Sequence, residues 1–356
     1  MNLSDNDHSK SHHCRYLIRG GMIFDGSGCD GIRGDVAIDG DLIVAVGKLG
    51  HWTADEVYDA TGKAVAPGFI DVHTHDDWAA LSNPALPFKV TQGVTTVITG
   101  NCGASAAPLV PTRNMPPPFS VINVDPDLCH ATVATYREAL EKSKPAVNVA
   151  LLVGHASLRV SVMGSDLDRT ATGAECQEMQ TMLEQALRQG AIGLSSGLDY
   201  PPALSADAKE MVALARVTGL HPGSVYTSHI RDEGDHVLEA VREAIDTGSR
   251  AGASLVISHH KCAGKANFGR SRETLALIES ARQKHSVALD VYPYTASSTA
   301  LMSRFVRSAE RVLVMWSKPH PECAGRMLHE IAADWNQDIE AVIDHLEPAG
   351  AIYFDM

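Results

Sequence analysis

Five side chains with the chemistry to bind a metal fall at the ends of predicted strands. The segment Pro67-Gly-Phe-Ile-Asp-Val-His73-Thr-His75 places two histidines one residue apart. On an extended chain, alternation with period two turns both imidazoles to one side. Two neutral imidazoles on one side suit zinc or a similar divalent ion. In a chain with 17 histidines a lone His-x-His is weak evidence. Three further strand ends strengthen it: Cys102 in Thr99-Gly-Asn-Cys-Gly103, His229 in Tyr226-Thr-Ser-His-Ile-Arg-Asp-Glu233, and His259 in Ile257-Ser-His-His-Lys261. An isolated buried cysteine is as readily a small hydrophobe. The glycines beside Cys102 let the backbone approach a ligand closely, which favours a thiolate ligand. His259 and His260 point to opposite sides if both lie on the strand, so only one of them faces the lumen. Zinc lowers the pKa of bound water to roughly 7 and polarises a carbonyl, the two needs of amide hydrolysis. No Gly-rich phosphate loop follows a strand, which disfavours nucleotide-dependent chemistry.

These residues need a scaffold that gathers strand ends. After Pro67-Gly68, short apolar runs alternate with longer stretches of helical periodicity, the rhythm of βα units and a parallel sheet. The runs are Phe69–Val72, Thr95–Thr99, Val147–Val153, Ala191–Leu194, Ser224–Thr227, Ser254–Ser258 and Val287–Val291. Between them Thr132–Lys144, Ala174–Gln189, Ala206–Thr218, Val237–Ala251 and Arg272–Lys284 carry amphipathic spacing. Seven such units, with the reactive residues just after strands, predict an α/β fold of the TIM-like barrel type, whose sites lie at the C-terminal ends of the strands. Upstream, residues 14–66 are short, β-rich and punctuated by Gly and Asp turns, which predicts a small β-sandwich domain. Residues 1–13 read as a disordered tail in which His8, His12 and His13 bind metal only adventitiously.

Composition narrows the partners. The 43 acidic and 30 basic residues give a formal charge of -13, which argues against nucleic acid and anionic lipid and for a small-molecule substrate. The longest uncharged stretch, Val90–Thr112, is broken by Gln92, Gly93, Asn101, Gly103 and Pro108, which a membrane span would not choose. The polar N-terminus lacks the apolar core of a signal peptide, and seven cysteines without a CxxC pair fit reduced thiols, so a cytoplasmic location is expected.

The Pro-Gly-Phe-Ile-Asp-x-His-x-His opening, preceded by a β-rich unit, resembles the amidohydrolase superfamily of metal-dependent barrel hydrolases. Gly100-Asn-Cys-Gly103, Val153-Gly-His-Ala-Ser-Leu-Arg159, the run Gly190 to Pro202, Thr227 to Glu233, Ser258-His-His-Lys261 and Asp290-Val-Tyr-Pro-Tyr294 are similar to the N-acyl-D-amino-acid deacylases within it. The resemblance runs from about Cys14 to the last residue. It implies zinc-dependent hydrolysis of an N-acyl-D-amino acid to a carboxylate and a free D-amino acid. It further implies that Cys102, His229 and His259 hold the tightly bound zinc, with His73 and His75 at a second, weaker metal position. The strand-four segment Ala191–Tyr200 has no lysine to bridge two metals, so a bridge through Cys102 agrees with the sequence, and a hydantoinase or dihydroorotase is disfavoured.

For the substrate carboxylate, Lys261 is placed as a cationic clamp two residues beyond His259. By the resemblance, Tyr200 polarises the carbonyl, Tyr292 binds the carboxylate and Arg304 is a second carboxylate anchor favouring D-glutamate. Lys261 and the two tyrosines have bland alternatives, a solvated lysine and a packing tyrosine before proline. The family's catalytic aspartate, in a Gly-Ser-Asp-Gly-like turn at strand eight, has no counterpart here, and Asp355 does not match it. The catalytic acid/base is therefore unknown, and the barrel is expected to lack its last strand. Two unpaired edges, at roughly 0.5 to 1.5 kcal/mol per lost ladder hydrogen bond, then threaten a stability margin of about 5 to 15 kcal/mol. A competing expectation is thus a truncated, catalytically inactive zinc-binding remnant.

Overall fold

The computed structural model describes residues 12–112, 115–122 and 124–355. The chain divides into two compact units between Phe69 and Ile70, three residues beyond the predicted boundary. In the first unit, β1 (His13–Ile23), β2 (Ile32–Asp39), β3 (Leu42–Gly47), β4 (Thr53–Asp59) and β5 (Ala64–Val65) form one five-stranded sheet, order β3-β2-β1-β4, with β5 also on β1. Among the described residues this unit, predicted as the N-terminal part of a small β-sandwich domain, forms that one sheet. Cys14, Leu17, Ala37 and Leu49 are its buried core. Of the predicted tail, residues 1–11, with His8, lie outside the described residues. His13 belongs to the sheet: it opens β1 opposite Thr53, and Thr53 donates its N–H to the His12 carbonyl at 2.9 Å.

From Phe69 onward all seven predicted runs are strands: β6 (Phe69–Asp71), β7 (Val94–Thr99), β8 (Asn148–Gly154), β9 (Gly193–Gly197), β10 (Val225–His229), β11 (Ser254–Ile257) and β12 (Val287–Leu289). They form a single sheet in consecutive order, with parallel pairing from β7 through β12. The last four residues of β8, Leu151 to Gly154, are buried in succession, so both faces of the strand are covered there, as in parallel sheets generally. Six strand spacings would separate β6 from β12 by about 29 Å in a flat sheet. Yet His73, just after β6, lies 3.2 Å from Asp290, just after β12. The sheet is therefore curled, and its C-terminal ends converge on one mouth, as in a TIM-like barrel.

The helices have the stop and start chemistry their sequences imply. Gly173–Arg188 opens with a capping box in which Thr172 Oγ1 accepts the Glu175 N–H and Glu175 accepts the Thr172 N–H. Val237–Ala251 buries Val237, Ala240, Val241, Ala244, Thr247, Gly248 and Ala251, one stripe at spacings of three and four. The quoted motif ending in Arg159 serves this core rather than the mouth. Arg159 and His155, both fully buried, meet the Glu210 carboxylate at 2.7 Å.

Beyond β12 the sequence predicts no strands, but four form. β13 (Ala296–Ala300), β14 (Arg311–Ser317), β15 (Arg326–Met327) and β16 (Ala349–Phe354) make a separate antiparallel sheet, order β13-β16-β14-β15. It packs with helices Leu328–Trp335 and Ile339–Leu346 around Leu301, Val314, Ile331, Val342, Leu346 and Tyr353. Asp355 follows the last strand of this sheet and pairs with Arg311 at 2.9 Å.

Candidate metal centre and substrate cavity

The five predicted ligands come together at the mouth. Cys102 Sγ lies 3.2 Å from His73 Nε2 and 3.3 Å from His259 Nε2. The His229 ring sits edge-on to His259 at 4.4 Å between centroids, and the His75 ring edge-on to His73 at 5.8 Å. Two sets of atoms lie close enough to share an ion: His73, Cys102 and His259, and His229, Glu233 and His259. Neither ring nitrogen of buried His229 has a hydrogen-bond partner, and His75 Nδ1 has none. Buried polar atoms without partners are costly. A ring of soft thiolate and imidazole donors with spare lone pairs fits zinc.

The route to this geometry differs from the period-two argument. β6 ends at Asp71 and β11 at Ile257, so His73, His75, His259 and Lys261 all sit in the turns that follow. His259 takes φ +32° and Cys102 φ +51°, both left-handed. The glycines near Cys102 serve the backbone, not a ligand: a Cβ on Gly100 would strike the Leu152 carbonyl, and one on Gly103 would lie 2.8 Å from the Gly197 nitrogen. His260 turns away from the cluster, as expected, and meets Thr274 Oγ1 at 2.8 Å.

Three carboxylates that the motifs contain, but to which the sequence reading gives no role, organise the cluster. Asp290 accepts the His259 N–H at 2.6 Å and faces His73 Nδ1, leaving Nε2 toward the thiol. Glu233 Oε1 faces His259 Nδ1 at 2.9 Å. Asp199 approaches His229 Nε2 at 4.0 Å. Carboxylates behind imidazoles fix tautomer and ring orientation. Each of the three sits within four residues of a strand end, the same signal that picks out the histidines.

The electrostatics follow from burial and pairing. Burial alone would raise the Cys102 thiol, but the imidazoles of His73, His259 and His229 hold it well below its ordinary value. Burial opposes charge on His73, yet the Cys102 thiolate and Asp290 raise it to about 10. Burial, with His259 adding to it, keeps His229 neutral. Asp199 is pushed up to about 7 by burial against the opposing Arg304.

The predicted substrate residues fare differently. Tyr200 is buried, its ring 5.0 Å from His229 and its hydroxyl 2.8 Å from Thr299 Oγ1. Burial and then the Cys102 thiolate raise its pKa, so it stays a donor. Tyr292 is half-buried and lines a cavity of about 610 Å³ with His73, His75, His259 and Asp290. That is the volume of a small-molecule site. Lys261 is not an open clamp: its ammonium lies 2.6 Å from Glu233 Oε1 and 2.9 Å from His259 Nδ1. Arg304 is likewise engaged, with Nη1 2.9 Å from Asp199 Oδ1 and Nη2 on the Asp199 carbonyl. A larger cavity of about 1250 Å³, bordered by Phe119, Trp316 and Pro348, has no histidine or cysteine in its lining.

The chain is similar to known proteins over most of its length. The model of the amidohydrolase family matches residues 56–317. The chain is 45% identical over 340 residues to a D-aminoacylase of Alcaligenes xylosoxydans xylosoxydans, covering 96% of this chain and 70% of that protein. It is also 45% identical over 341 residues to an N-acyl-D-glutamate deacylase of the same organism, covering 96% and 69%. Among solved structures, it superposes with a TM-score of 0.93 and 45% identity on N-acyl-D-glutamate deacylase from Bordetella bronchiseptica, covering 96% and 72%. That protein was crystallised with zinc and a phosphonate that mimics the tetrahedral intermediate of its reaction.

Proposed function

The chain belongs to the amidohydrolase family, and from that premise we propose that it is a zinc hydrolase releasing a carboxylate and a free D-amino acid from an N-acyl-D-amino acid. The observation that carries this is the meeting of His73 Nε2, Cys102 Sγ and His259 Nε2 beside a cavity of substrate size. Cys102, His229 and His259 are the residues to hold the tightly bound ion, and His73 and His75 would serve a second position beside the same thiolate. When bound, zinc supplies carbonyl polarisation and a water acidic enough to attack at neutral pH.

The chain's own residues do the rest. Asp290 and Glu233 hold the rings of His73 and His259 toward the thiolate. Tyr200, kept protonated by burial, is a donor at the mouth for a substrate oxygen, and Tyr292 presents its ring on the cavity wall. Lys261 and Arg304 give the site one ammonium and one guanidinium charge, paired with Glu233 and Asp199 respectively. A substrate carboxylate therefore binds by competing with those partners. Arg304 supports D-glutamate as the favoured substrate, since its fork matches a second carboxylate.

A specific observation supports the second reading, metal binding without turnover. Asp199, Glu233 and Asp290 are each paired, so none of these three carboxylates stands free as a general base. Free amino acid released from N-acetyl-D-glutamate, N-acetyl-D-aspartate, N-acetyl-D-methionine and their L forms separates the two. Hydrolysis of D forms above L forms supports the deacylase; rates at background on all six support the inactive metalloprotein.

Seven free cysteines support a cytoplasmic setting. Among the described residues no helix is long and apolar enough to cross a membrane, and the acidic net charge supports a small-molecule partner rather than nucleic acid.

A further inference from the structure

Asp77 lies two residues beyond His75, with a side chain wholly shielded from solvent. Its carboxylate takes two backbone amides: Oδ2 accepts from Gly100 at 3.0 Å and Oδ1 from Ala106 at 3.1 Å. Those two residues bracket the loop that carries Cys102. The loop is held in an unusual shape, with φ of +78° at Gly100, +51° at Cys102 and +79° at Gly103. A residue with a Cβ keeps such a conformation only where its surroundings impose it.

Two more tethers act on the same loop. Asn101 Nδ2 donates to the Thr74 carbonyl, between His73 and His75, and to Ile98. Across the loop, Ser195 Oγ of β9 accepts the Gly103 N–H at 3.1 Å and donates to the Gly100 carbonyl. Asn101 and Ser195 show that neutral groups suffice to tie this loop. A buried carboxylate is a costlier tie, and what it adds is two acceptors on one rigid plane, aimed at both ends of the loop at once.

We propose that Asp77 is a positioning residue for the metal centre. It locks the His73–His75 segment and the Cys102 loop into one body, so that Sγ stands at its two imidazole neighbours before an ion arrives. This rests on reading the cluster as a metal centre.

The test uses the 356-residue chain, comparing wild type with Asp77→Asn, Asp77→Ser and Leu183→Ala. Zinc affinity is measured by competition with a chromophoric chelator, and the cysteine ligand by the thiolate-to-metal absorption of the cobalt-loaded protein. Asp77→Asn keeps the shape but turns an amide NH₂ toward one of the two backbone donors. It is expected to lose 10- to 100-fold in zinc affinity and to weaken the thiolate band. Leu183→Ala, which opens a cavity in the core, is expected to lower thermal stability while leaving both readouts at wild-type values. Wild-type affinity and band in Asp77→Asn, or equal losses in Leu183→Ala, overturn the proposal. Should Asp77→Asn not fold, Asp77→Ser, which removes the paired acceptors without adding a donor-only group, decides: a loss in both readouts supports the positioning role, and unchanged readouts refute it. A wild type without zinc affinity or a thiolate band would instead show that the metal reading itself fails.

Discussion

Replacing Glu233 by Gln should strand the Lys261 ammonium. In the folded chain Glu233 Oε1 lies 2.6 Å from Lys261 Nζ, and the two side chains are only 12% and 19% exposed. Burial alone would raise the Glu233 pKa, but Lys261 and then His259 hold it well below the ordinary 4.5. Breaking a buried pair from one side costs about 3 to 5 kcal/mol, because an uncompensated charge remains. With some solvent reaching Lys261, about 3 kcal/mol is expected for Glu233→Gln. Lys261→Met leaves a carboxylate that still has His259 Nδ1, so about 2 kcal/mol is expected there. The double variant leaves no stranded charge and should cost less than the sum by about 1 to 3 kcal/mol. The assay is urea unfolding at pH 7 in the presence of a chelator, which removes metal linkage from the comparison. Because the folded pKa is depressed, the coupling is full above about pH 4.5 and fades as pH falls toward the folded value. Additivity within about 0.5 kcal/mol would refute the pairing and return Lys261 to the role of an open clamp.

Other outcomes follow from the same contacts. Glu210, held at about 2 by His155 and Arg159 against the penalty of burial, contributes about 3 kcal/mol above its unfolded value of 4.5, and that contribution is lost as pH falls toward 2. The urea-midpoint gap between wild type and Glu210→Gln should therefore shrink between pH 6 and pH 3; a constant gap contradicts the buried network. Arg304→Ala should shift preference from N-acetyl-D-glutamate toward N-acetyl-D-methionine by about tenfold or more, as loss of a charge-assisted contact implies; an unchanged ratio of kcat/KM removes Arg304 from substrate selection. Leu183→Ala, fully buried among the helices, should cost about 2 to 5 kcal/mol in urea unfolding; a loss below about 1 kcal/mol would mean the core there is loosely packed.

The seven strands of the curled sheet and the five ligand side chains are legible because each rests on local pattern. A parallel strand covered on both faces is an apolar run, and a ligand at a strand end is a polar residue where that run stops. The partners of those ligands were not legible. Glu233, Asp290 and Asp199 stand in the quoted motifs, yet whether a carboxylate binds substrate, backs an imidazole or cancels a lysine depends on a neighbour tens of residues away. Lys261 looked like a clamp because its partner arrives from the turn after β10. Period two gave the right facing for His73 and His75 for the wrong reason, since both lie past the strand and their rings converge through the turn. Of the last four strands, β13 is built of Ser, Thr and Ala and carries no apolar run, and the antiparallel pairing of β16 with both β13 and β14 has no βα rhythm to mark it in sequence.

The most direct test of the metal centre is zinc retention. Wild-type chain equilibrated with zinc and dialysed against metal-free buffer should keep at least one zinc, while Cys102→Ser, folded by circular dichroism, should lose it under the same dialysis. Equal retention by the two proteins, or no zinc on the wild type, would contradict the assignment of Cys102 and its histidines as the centre of the site.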